Sequence, residues 1–368
     1  MLISQLVALS NDLGSRQELV LAGGGNTSVK EGNTLYIKAS GTALADITEK
    51  GFVKMDRTLL SAMLTRRYPD DDTIREARAL ADLTAAMLPG EEGKRPSVET
   101  LLHHLFPQRF VVHLHPAAVN ALSCAVRGEE ETQRLFGNEA LWVESCRPGY
   151  VLARLCSERL NEYAGKNGAP PNIVILQNHG LFTAAETPEG IYALLSKVLT
   201  TIQAAMLIIP EPGRMPASEQ TAAWEQRIAE LFPAGYGICR GDCVAAGLFS
   251  RDEAAAAPLM RPFTPDHIVY CGAYPLFSEK PEDLAVDLAT FRQNHDALPK
   301  IIIAKEQGYF AVGSNDRAAR LAKLLFDDAI EVAVGSLNFG GPLHLSEELT
   351  DFIVHWEVES YRQSRAGV

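Results

Sequence analysis

Residues 95–116 read RPSVETLLHHLFPQRFVVHLHP, and most of what can be inferred about the chain follows from this stretch. Its second half, RFVVHLH, is typical of a β-strand, in which side chains alternate between the two faces of the sheet. His113 and His115 are therefore expected on the same face, with their Cα atoms about 6–7 Å apart. Two imidazoles at that spacing can bind one metal ion. A catalytic zinc site typically has three protein ligands at about 2.0–2.1 Å and one open position.

The first half of the stretch predicts a helix. Pro96 and Ser97 are typical of a helix start. An apolar stripe follows at helical spacing, formed by Val98, Leu101, Leu102 and Leu105. Glu99 and His103 share a flank beside that stripe, and a turn at the following proline would let Glu99 face the two strand histidines. His104 lies on another face of the helix and is interpreted as structural.

A third histidine, His179, lies in the sequence NIVILQNHGLF at 172–182. The apolar run 173–176 is typical of a strand buried on both faces, and Gly180 permits a sharp backbone turn after it. A histidine at the end of a buried strand can reach ligands on a neighbouring strand. A lone histidine is nevertheless more often a satisfied core or surface residue than a metal ligand.

A glycine-rich segment, Gly-Gly-Gly-Asn at 23–26, can present successive backbone amides to an anion such as phosphate. The alternative is a tight turn into a hairpin, with strands at Val29 and at 35–37 around Gly32 and Asn33. A dinucleotide-binding fingerprint fits poorly, because Ser28 occupies the third glycine position and a strand is predicted to follow. Helices are predicted at 2–16, 58–68, 73–88, 116–126 and 129–136, and a long amphipathic helix from 187.

Five motifs follow one another along the chain: GGGNTSV at 23–29, KASGTAL at 38–44, PSVE at 96–99 with His103 after it, HLHP at 113–116, and QNHGL at 177–181. In this combination residues 1–210 resemble the class II aldolase/adducin family of metal-dependent sugar-phosphate aldolases. Each motif alone is weak, whereas the ordered set is specific. The resemblance implies an α/β fold, a three-layer α/β/α domain with a central, mainly antiparallel sheet. A smaller C-terminal α/β domain is expected to follow.

The resemblance also implies roles for individual residues. His113, His115 and His179 would be the ligands of Zn²⁺ or another divalent metal ion. Glu99 would be the acid/base glutamate, which lies against the metal until substrate displaces it. The family's phosphate-binding positions correspond to Asn26, Ser40, Gly41 and Ser97. Fuculose-phosphate-type aldolases have a second serine where this chain has Val98, so one phosphate hydrogen bond is lost, and Lys38 is expected to supply a charge instead.

The implied activity is reversible cleavage of a ketose 1-phosphate, of the rhamnulose- or fuculose-phosphate kind, to dihydroxyacetone phosphate and an aldehyde through a metal-stabilised enediolate. Glu99 would carry the proton, for which a raised pKa near an apolar wall is expected.

Four alternatives remain open. A sugar-phosphate 4-epimerase shares the histidines and the enediolate, but relatives associated with epimerisation carry Asp at the position of Glu99. A 3-keto sugar-acid decarboxylase uses the same metal enolate. A non-catalytic adducin-like binding module would lack the histidine set. A Schiff-base aldolase needs a desolvated lysine, for which Lys305 is the candidate.

The composition indicates an ordinary globular protein, with 368 residues of which 46% are hydrophobic, and a net charge of −12. Such a length has room for two domains, and a proline- and glycine-rich segment at 210–216 predicts domains at 1–212 and 213–368. The negative charge argues against a nucleic-acid or anionic-membrane partner. Without an apolar run of transmembrane length or a signal peptide, a cytoplasmic location is expected. The six scattered cysteines are interpreted as free thiols.

The second half is predicted to contain helices at 218–231 and from Asp316 and Ser346, strands at 267–271 and 301–304, and a return strand at 309–312. It resembles the extra region of bacterial rhamnulose-phosphate aldolase/dehydrogenase fusions in PDHIVYCGAYPLF and the closing HWEVESYR, without their dehydrogenase half. Its histidines are interpreted as structural, although one could reach a neighbouring subunit's site: His267, His295, His344 and His355. The family resemblance implies a homo-oligomer, a tetramer, that acts on a small sugar phosphate.

Overall fold

The structure is a computed structural model that describes residues 2–356. Most of the closing HWEVESYR motif lies outside the described residues. The chain divides into two compact units, Met1–Val119 with Gly128–Ala204, and Asn120–Arg127 with Ala205–Val368. Within the described part, no helix combines the length and the apolar character needed to span a bilayer.

The first unit contains a seven-stranded sheet in the order β3-β2-β1-β4-β7-β6-β5. Its strands are β1 (Asn26–Glu31), β2 (Thr34–Lys38), β3 (Phe52–Asp56), β4 (Phe110–Leu114), β5 (Ala140–Val143), β6 (Ile173–Leu176) and β7 (Gly180–Ala185). All neighbouring pairs are antiparallel except β5 and β6. The hairpin predicted around Gly32 is confirmed, because Glu31 pairs with Thr34 across a two-residue loop in which Gly32 has φ 57°.

The helices up to residue 205 are α1 (Leu2–Gly14), α2 (Arg57–Thr65), α3 (Asp72–Ala85), α4 (Thr100–Leu105), α5 (Ala117–Ser123), α6 (Gly128–Phe136), α7 (Tyr150–Asn167) and α8 (Pro188–Ala205). Two consecutive residues of β1 show that helices cover both faces of the sheet. Thr27 hydrogen-bonds Ser10 of α1, and Ser28 hydrogen-bonds His103 of α4. Because adjacent strand residues point to opposite faces, α1 and α4 lie on opposite sides.

The face that α4 covers is also covered by α2, α3 and α7, whose apolar residues join strand residues such as Val111 and Phe182 in one core cluster. Helix α4 is shorter than its apolar stripe suggests. It begins at Thr100, with Glu99 as the N-cap residue at φ −89° and ψ 7°. Glu99 therefore lies just before the first residue of the helix and not on the flank where the sequence predicts it.

The second unit contains a four-stranded sheet in the order β8-β11-β10-β9. Its elements are β8 (Gly237–Gly241), β9 (Leu276–Ser278), β10 (Ile301–Ala304), β11 (Gly308–Gly313), α9 (Glu219–Leu231), α10 (Val244–Phe249), α11 (Glu253–Ala256), α12 (Pro265–Cys271), α13 (Leu284–His295), α14 (Asp316–Ser336) and α15 (Glu347–His355). Tyr309 of β11 hydrogen-bonds Asp327 of α14, whereas the next residue, Phe310, packs in a cluster with α9 and α13. This sheet too has helices on both faces.

The α/β fold with a mainly antiparallel central sheet and a second, smaller sheet is confirmed. The strand predicted at 267–271 is wrong, because these residues belong to helix α12. Thr264 caps this helix, Pro265 occupies its first position and Asp266 its first turn, all typical of a helix start. Every residue of α12 is buried, so its sequence lacks the polar face that distinguishes a surface helix from a strand. The six cysteines are free thiols, as expected.

Candidate active site

The register of three adjacent strands brings the first site residues together. His113 of β4 pairs with Asn26 of β1 on one side and with Phe182 of β7 on the other. Directly paired residues project from the same face of a sheet. Because Ser28 lies two residues from Asn26 and contacts α4, this is the face that α4 covers. The period-two argument for His113 and His115 thus places both imidazoles on the same side of the sheet.

His179 joins them from the turn between β6 and β7. The backbone bends at Asn178, whose φ is 55°, and the amide of His179 donates to the carbonyl of Leu176 at 3.2 Å. One ring nitrogen from each of His113, His115 and His179 lies within 4.8 Å of the other two. The structure therefore brings together the three histidines that the sequence analysis assigned to one metal site.

The orientation of His113 is set by the start of β7. Its Nδ1 lies 3.0 Å from the carbonyl oxygen of Leu181, so Nδ1–H donates there and Nε2 is directed towards His115 and Glu99. The ring of Phe182 stacks on the same imidazole, with centroids 4.2 Å apart and planes 18° from parallel.

Gly180 leaves the space that the imidazoles occupy. A Cβ at this position would lie 2.6 Å from the carbonyl oxygen of Leu114 and 2.7 Å from Cδ2 of His115. Both distances are too short for non-bonded carbon. The glycine is therefore needed for the approach of β7 to β4 at this point, in addition to any role in the turn.

Glu99 reaches the histidines from the beginning of α4. Its Oε1 lies 3.1 Å from Nε2 of His113 and 3.2 Å from Nε2 of His179. Asn26 donates a hydrogen bond to the other carboxylate oxygen, Oε2. The backbone amide of Glu99 donates to the Ser97 hydroxyl at 3.2 Å. One carboxylate oxygen thus faces the imidazoles while the second is held by the amide of Asn26.

The pKa values in the site differ from those of free side chains. Burial lowers the pKa of His113 to about 4, against the opposing effect of the Glu99 carboxylate. Burial raises the pKa of Glu99, but the adjacent imidazoles of His113 and His179 outweigh this effect and hold that pKa well below its usual value. The raised pKa expected for Glu99 is therefore wrong, because two imidazoles and the amide of Asn26 contact the carboxylate.

The three histidines fit a divalent metal ion such as zinc. A neutral imidazole is the ligating form, and the lowered pKa and the Nδ1 hydrogen bond both favour it in His113. Tetrahedral bonds of 2.0–2.1 Å would separate two ligand nitrogens by about 3.3 Å. The two Nε2 atoms of His113 and His115 are 2.8 Å apart, and all three donors lie within 4.8 Å of one another, so small side-chain shifts bring them to that spacing.

The predicted phosphate-binding residues form two neighbouring segments. The amide of Ser40 donates to the carbonyl of Arg95 at 2.8 Å, and Ala39 forms a bridge with Pro96, so Ser40 and Gly41 adjoin the segment that contains Ser97. Lys38 is buried, and its ammonium group donates to the carbonyl of Gly23 at 2.9 Å in the glycine-rich loop.

Two features of the site have no counterpart in the sequence analysis. One is the hydrogen bond between Asn26 and Glu99, and the other is the stacking of Phe182 on His113. The stacking follows from the strand register, and the hydrogen bond from the packing of the start of α4 against β1; motif spacing gives neither. His104, interpreted as structural, hydrogen-bonds Ser61 of α2 at 2.9 Å.

The side chains singled out in the second unit have other partners. Nε2 of His267 contacts Asp328 at 2.9 Å, and Nε2 of His344 donates to the carbonyl of Pro258 at 2.8 Å. Lys305 forms an ion pair with Glu279 at 3.0 Å, and that hydrogen bond raises the lysine pKa. A Schiff-base lysine needs the opposite shift, so Lys305 does not suit that role.

Residues 4–206 match the family model described as the class II aldolase and adducin N-terminal domain. The chain belongs to the class II aldolase and adducin family. A curated relative, the uncharacterized oxidoreductase YuxG of Bacillus subtilis, is 25% identical over an alignment of 419 residues. The alignment covers 99% of this chain and 58% of the relative. The chain thus spans less than two thirds of that relative's length, as the resemblance to longer fusion proteins suggests.

Two solved structures are similar to part of the chain. The N-terminal class II aldolase domain of a conserved protein from Thermoplasma acidophilum has a TM-score of 0.47 at 27% identity and covers 55% of this chain and 92% of its own. L-fuculose-1-phosphate aldolase from Thermus thermophilus has a TM-score of 0.35 at 20% identity, with coverages of 55% and 92%.

Proposed function

We propose that this chain is a zinc-dependent aldolase that reversibly cleaves a ketose 1-phosphate, of the rhamnulose- or fuculose-phosphate kind, to dihydroxyacetone phosphate and an aldehyde. The observation that carries the proposal is the convergence of three imidazoles and one carboxylate on a single point, with Oε1 of Glu99 within 3.2 Å of two of the imidazoles. Membership of a family that includes metal-dependent aldolases supports it.

His113, His115 and His179 would hold the metal ion. Bound there, a divalent cation supplies a Lewis acid for the negative charge that develops on the substrate oxygen when the carbon–carbon bond breaks. The hydrogen bond that His113 donates to the Leu181 carbonyl and the one that Glu99 accepts from Asn26 fix those two groups before substrate arrives. This favours catalysis because no reorganisation is needed later.

Glu99 is the proposed acid/base residue. In the condensation direction it removes a proton from C3 of dihydroxyacetone phosphate, and in cleavage it returns that proton to C3. The bond from Asn26 to Oε2 leaves Oε1 for this transfer. The lowered pKa of Glu99 means that the carboxylate is ionised at neutral pH, as a base must be.

The phosphate group is proposed to bind between the glycine-rich loop and the segments at Ser40–Gly41 and Ser97. Lys38 supplies a buried ammonium group beside the loop, and the two segments adjoin each other. In this proposal the charge of Lys38 replaces the hydrogen bond that Val98 cannot make.

Glu99→Gln tests the assignment. The amide cannot accept the C3 proton, so turnover of L-fuculose 1-phosphate or L-rhamnulose 1-phosphate should fall by about 10²–10⁴-fold, while metal content remains that of the wild type. Release of dihydroxyacetone phosphate is followed with a coupled glycerol-phosphate dehydrogenase.

The matched control is Glu76→Gln, because Glu76 is a buried carboxylate of the same unit that accepts a hydrogen bond from the amide of Tyr150. It should keep the wild-type rate. An active Glu99→Gln variant would contradict the assigned role. A wild-type protein that binds zinc but cleaves neither ketose phosphate would move the proposal to the related epimerase or decarboxylase reactions.

The proposal extends to organisation and location. Residues 1–212 would form the catalytic domain of a cytoplasmic homotetramer, and 213–368 a domain of separate role. Sedimentation analysis of the full chain measures the oligomeric state, and a monomer at micromolar concentration would contradict that part.

A further inference from the structure

Four consecutive residues, His179 in the turn before β7 and the first three residues of β7, all contact the candidate metal site. His179 supplies an imidazole, Gly180 leaves room for His115, and the carbonyl of Leu181 accepts from Nδ1 of His113. Phe182 is fully buried and lies against the ring of His113. The first three contacts fix distances, whereas the Phe182 contact constrains the plane of an imidazole.

Phe182 is itself held on other sides. Its ring stacks with Phe106 at a centroid distance of 5.7 Å, and His103 meets it edge-on at 5.3 Å. Nδ1 of His103 is fixed by a 2.8 Å hydrogen bond with Ser28 of β1. The ring that stacks on His113 therefore cannot rotate without displacing side chains of α4 and the loop after it.

We propose that Phe182 is a positioning residue that fixes the plane of the His113 imidazole and so directs its Nε2 lone pair at the metal. The inference rests on the metal site of the proposed function. The imidazole turns about its Cβ–Cγ bond, and a single 3.0 Å hydrogen bond at Nδ1 tolerates some of that rotation. Stacking at 18° restricts the rotation further, because turning the His113 ring would drive its edge into the face of Phe182. Outer contacts of this kind set the orientation of metal ligands and thereby metal affinity.

The test compares Phe182→Leu with Phe106→Leu. Both residues are buried in the same core cluster, and both substitutions exchange a ring for an aliphatic side chain, so their effects on Tm, measured in EDTA, should be similar. Phe106 stacks on Phe182 and not on an imidazole, and a leucine at 106 still packs on Phe182 while its contacts with His103 and His113 remain. Co²⁺ serves as the probe, because its visible absorption bands report coordination geometry and its affinity can be measured by competition with a chromophoric chelator.

Phe182→Leu should weaken Co²⁺ binding by about three- to tenfold, as expected for loss of an aromatic pair, and should change the position and intensity of the bands. Phe106→Leu should change the affinity by less than about twofold and keep the wild-type spectrum. Equal changes in both variants, or an unchanged Phe182→Leu protein, would overturn the proposal. If the leucine variants do not fold, Phe182→Met and Phe106→Met replace them, because methionine adapts to irregular core space.

His113→Ala separates this inference from the proposed function. If the wild type binds Co²⁺ and His113→Ala does not, the site is established, and an unaffected Phe182→Leu variant overturns the positioning role alone. If His113→Ala binds Co²⁺ like the wild type, the metal site of the proposed function is wrong and the inference falls with it.

Discussion

The two units each place a sheet between helices and each contain buried and half-buried histidines, but the ring nitrogens of those histidines contact different groups. In the first unit the nitrogens of His113, His115 and His179 approach one another, and Nε2 of His113 lies 2.8 Å from that of His115. In the second unit Nε2 of His267 contacts the carboxylate of Asp328, and that of His344 a backbone carbonyl.

This difference separates a site from a packed core. A buried ring nitrogen normally has a hydrogen-bond partner, and Nε2 of His267 and Nε2 of His344 each have one. In the first unit the ring nitrogens of three histidines face one another instead, and they surround a common point. Among the described residues, His113, His115 and His179 are the set of donors close enough to hold a metal ion. Convergence of donors, and not burial, is therefore the property that marks these three histidines as the candidate metal ligands.

Removing one histidine from each unit tests this difference between the two units. His113→Ala should abolish metal binding, reducing zinc content from one equivalent to less than about a tenth, because catalytic zinc sites depend on all three protein ligands. His267→Ala should keep full metal content and lower the free energy of unfolding by about 1–3 kcal/mol, since Asp328 loses its partner. Metal analysis after dialysis and urea unfolding measure the two effects. Loss of zinc in His267→Ala would contradict the comparison.

His104 extends the comparison to a buried histidine of the first unit that lies outside the site. Burial, with the charges of Arg57 and Lys30, lowers its pKa from 6.5 to about 4. Since the folded pKa lies below the unfolded one, the unfolded state binds more protons between these values, and stability falls as pH decreases through that window. The loss attributable to His104 reaches about 3 kcal/mol at pH 4.

His104→Gln should therefore reduce the loss of unfolding free energy between pH 7 and pH 4 and leave zinc affinity unchanged. Urea unfolding at a series of pH values gives the slope. An acid slope equal to that of the wild type would show that His104 titrates normally in the folded protein.

Two glycines offer a matched test of the close backbone contacts. Gly180→Ala should destabilise the protein by about 1–3 kcal/mol and also weaken metal binding, because its Cβ would lie 2.7 Å from the ring of His115. Gly241→Ala in β8 should lower the free energy of unfolding by a similar amount, because the new Cβ would collide with the buried ring of Tyr309. The metal affinity of this variant should stay that of the wild type. Equal metal affinities in the two variants would argue that Gly180 serves packing alone.

The smallest effects are expected at helix caps, which the two units share. Asp71 accepts from the amide of Ile74 at the start of α3, and Ser346 from that of Leu349 at the start of α15. Asp71→Ala and Ser346→Ala should each cost about 1 kcal/mol with no change in metal binding. Thermal unfolding of both variants checks this. A change in metal affinity in either variant would show that metal binding depends on the stability of helices outside the site.

The sequence was sufficient where a short-range period determines geometry. Strand alternation placed His113 and His115 on one face, and the apolar run before His179 indicated a strand end. It was insufficient where partners lie far apart in the chain. Register between β1, β4 and β7 places Asn26 and Phe182 on either side of His113, and the packing of α4 brings Glu99 to Asn26. No local pattern encodes these contacts. The pKa of Glu99 depends on the same long-range contacts.

Errors in secondary structure have a similar origin. The strand predicted at 267–271 is a helix because capping by Thr264 outweighs a short apolar run, and full burial removes the periodicity that would have revealed it. Strands β5 and β9, of four and three residues, lacked a prediction, since so few positions show no alternating pattern.

The most direct test of the central claim is hydrogen exchange at C3 of dihydroxyacetone phosphate in D₂O, followed by proton NMR. It needs no assumption about the aldehyde. The account predicts stereospecific exchange of one C3 proton by the zinc-loaded protein, and loss of that exchange in the presence of a chelator and in Glu99→Gln. Exchange that survives the chelator, or no exchange with zinc bound at the three histidines, would contradict it.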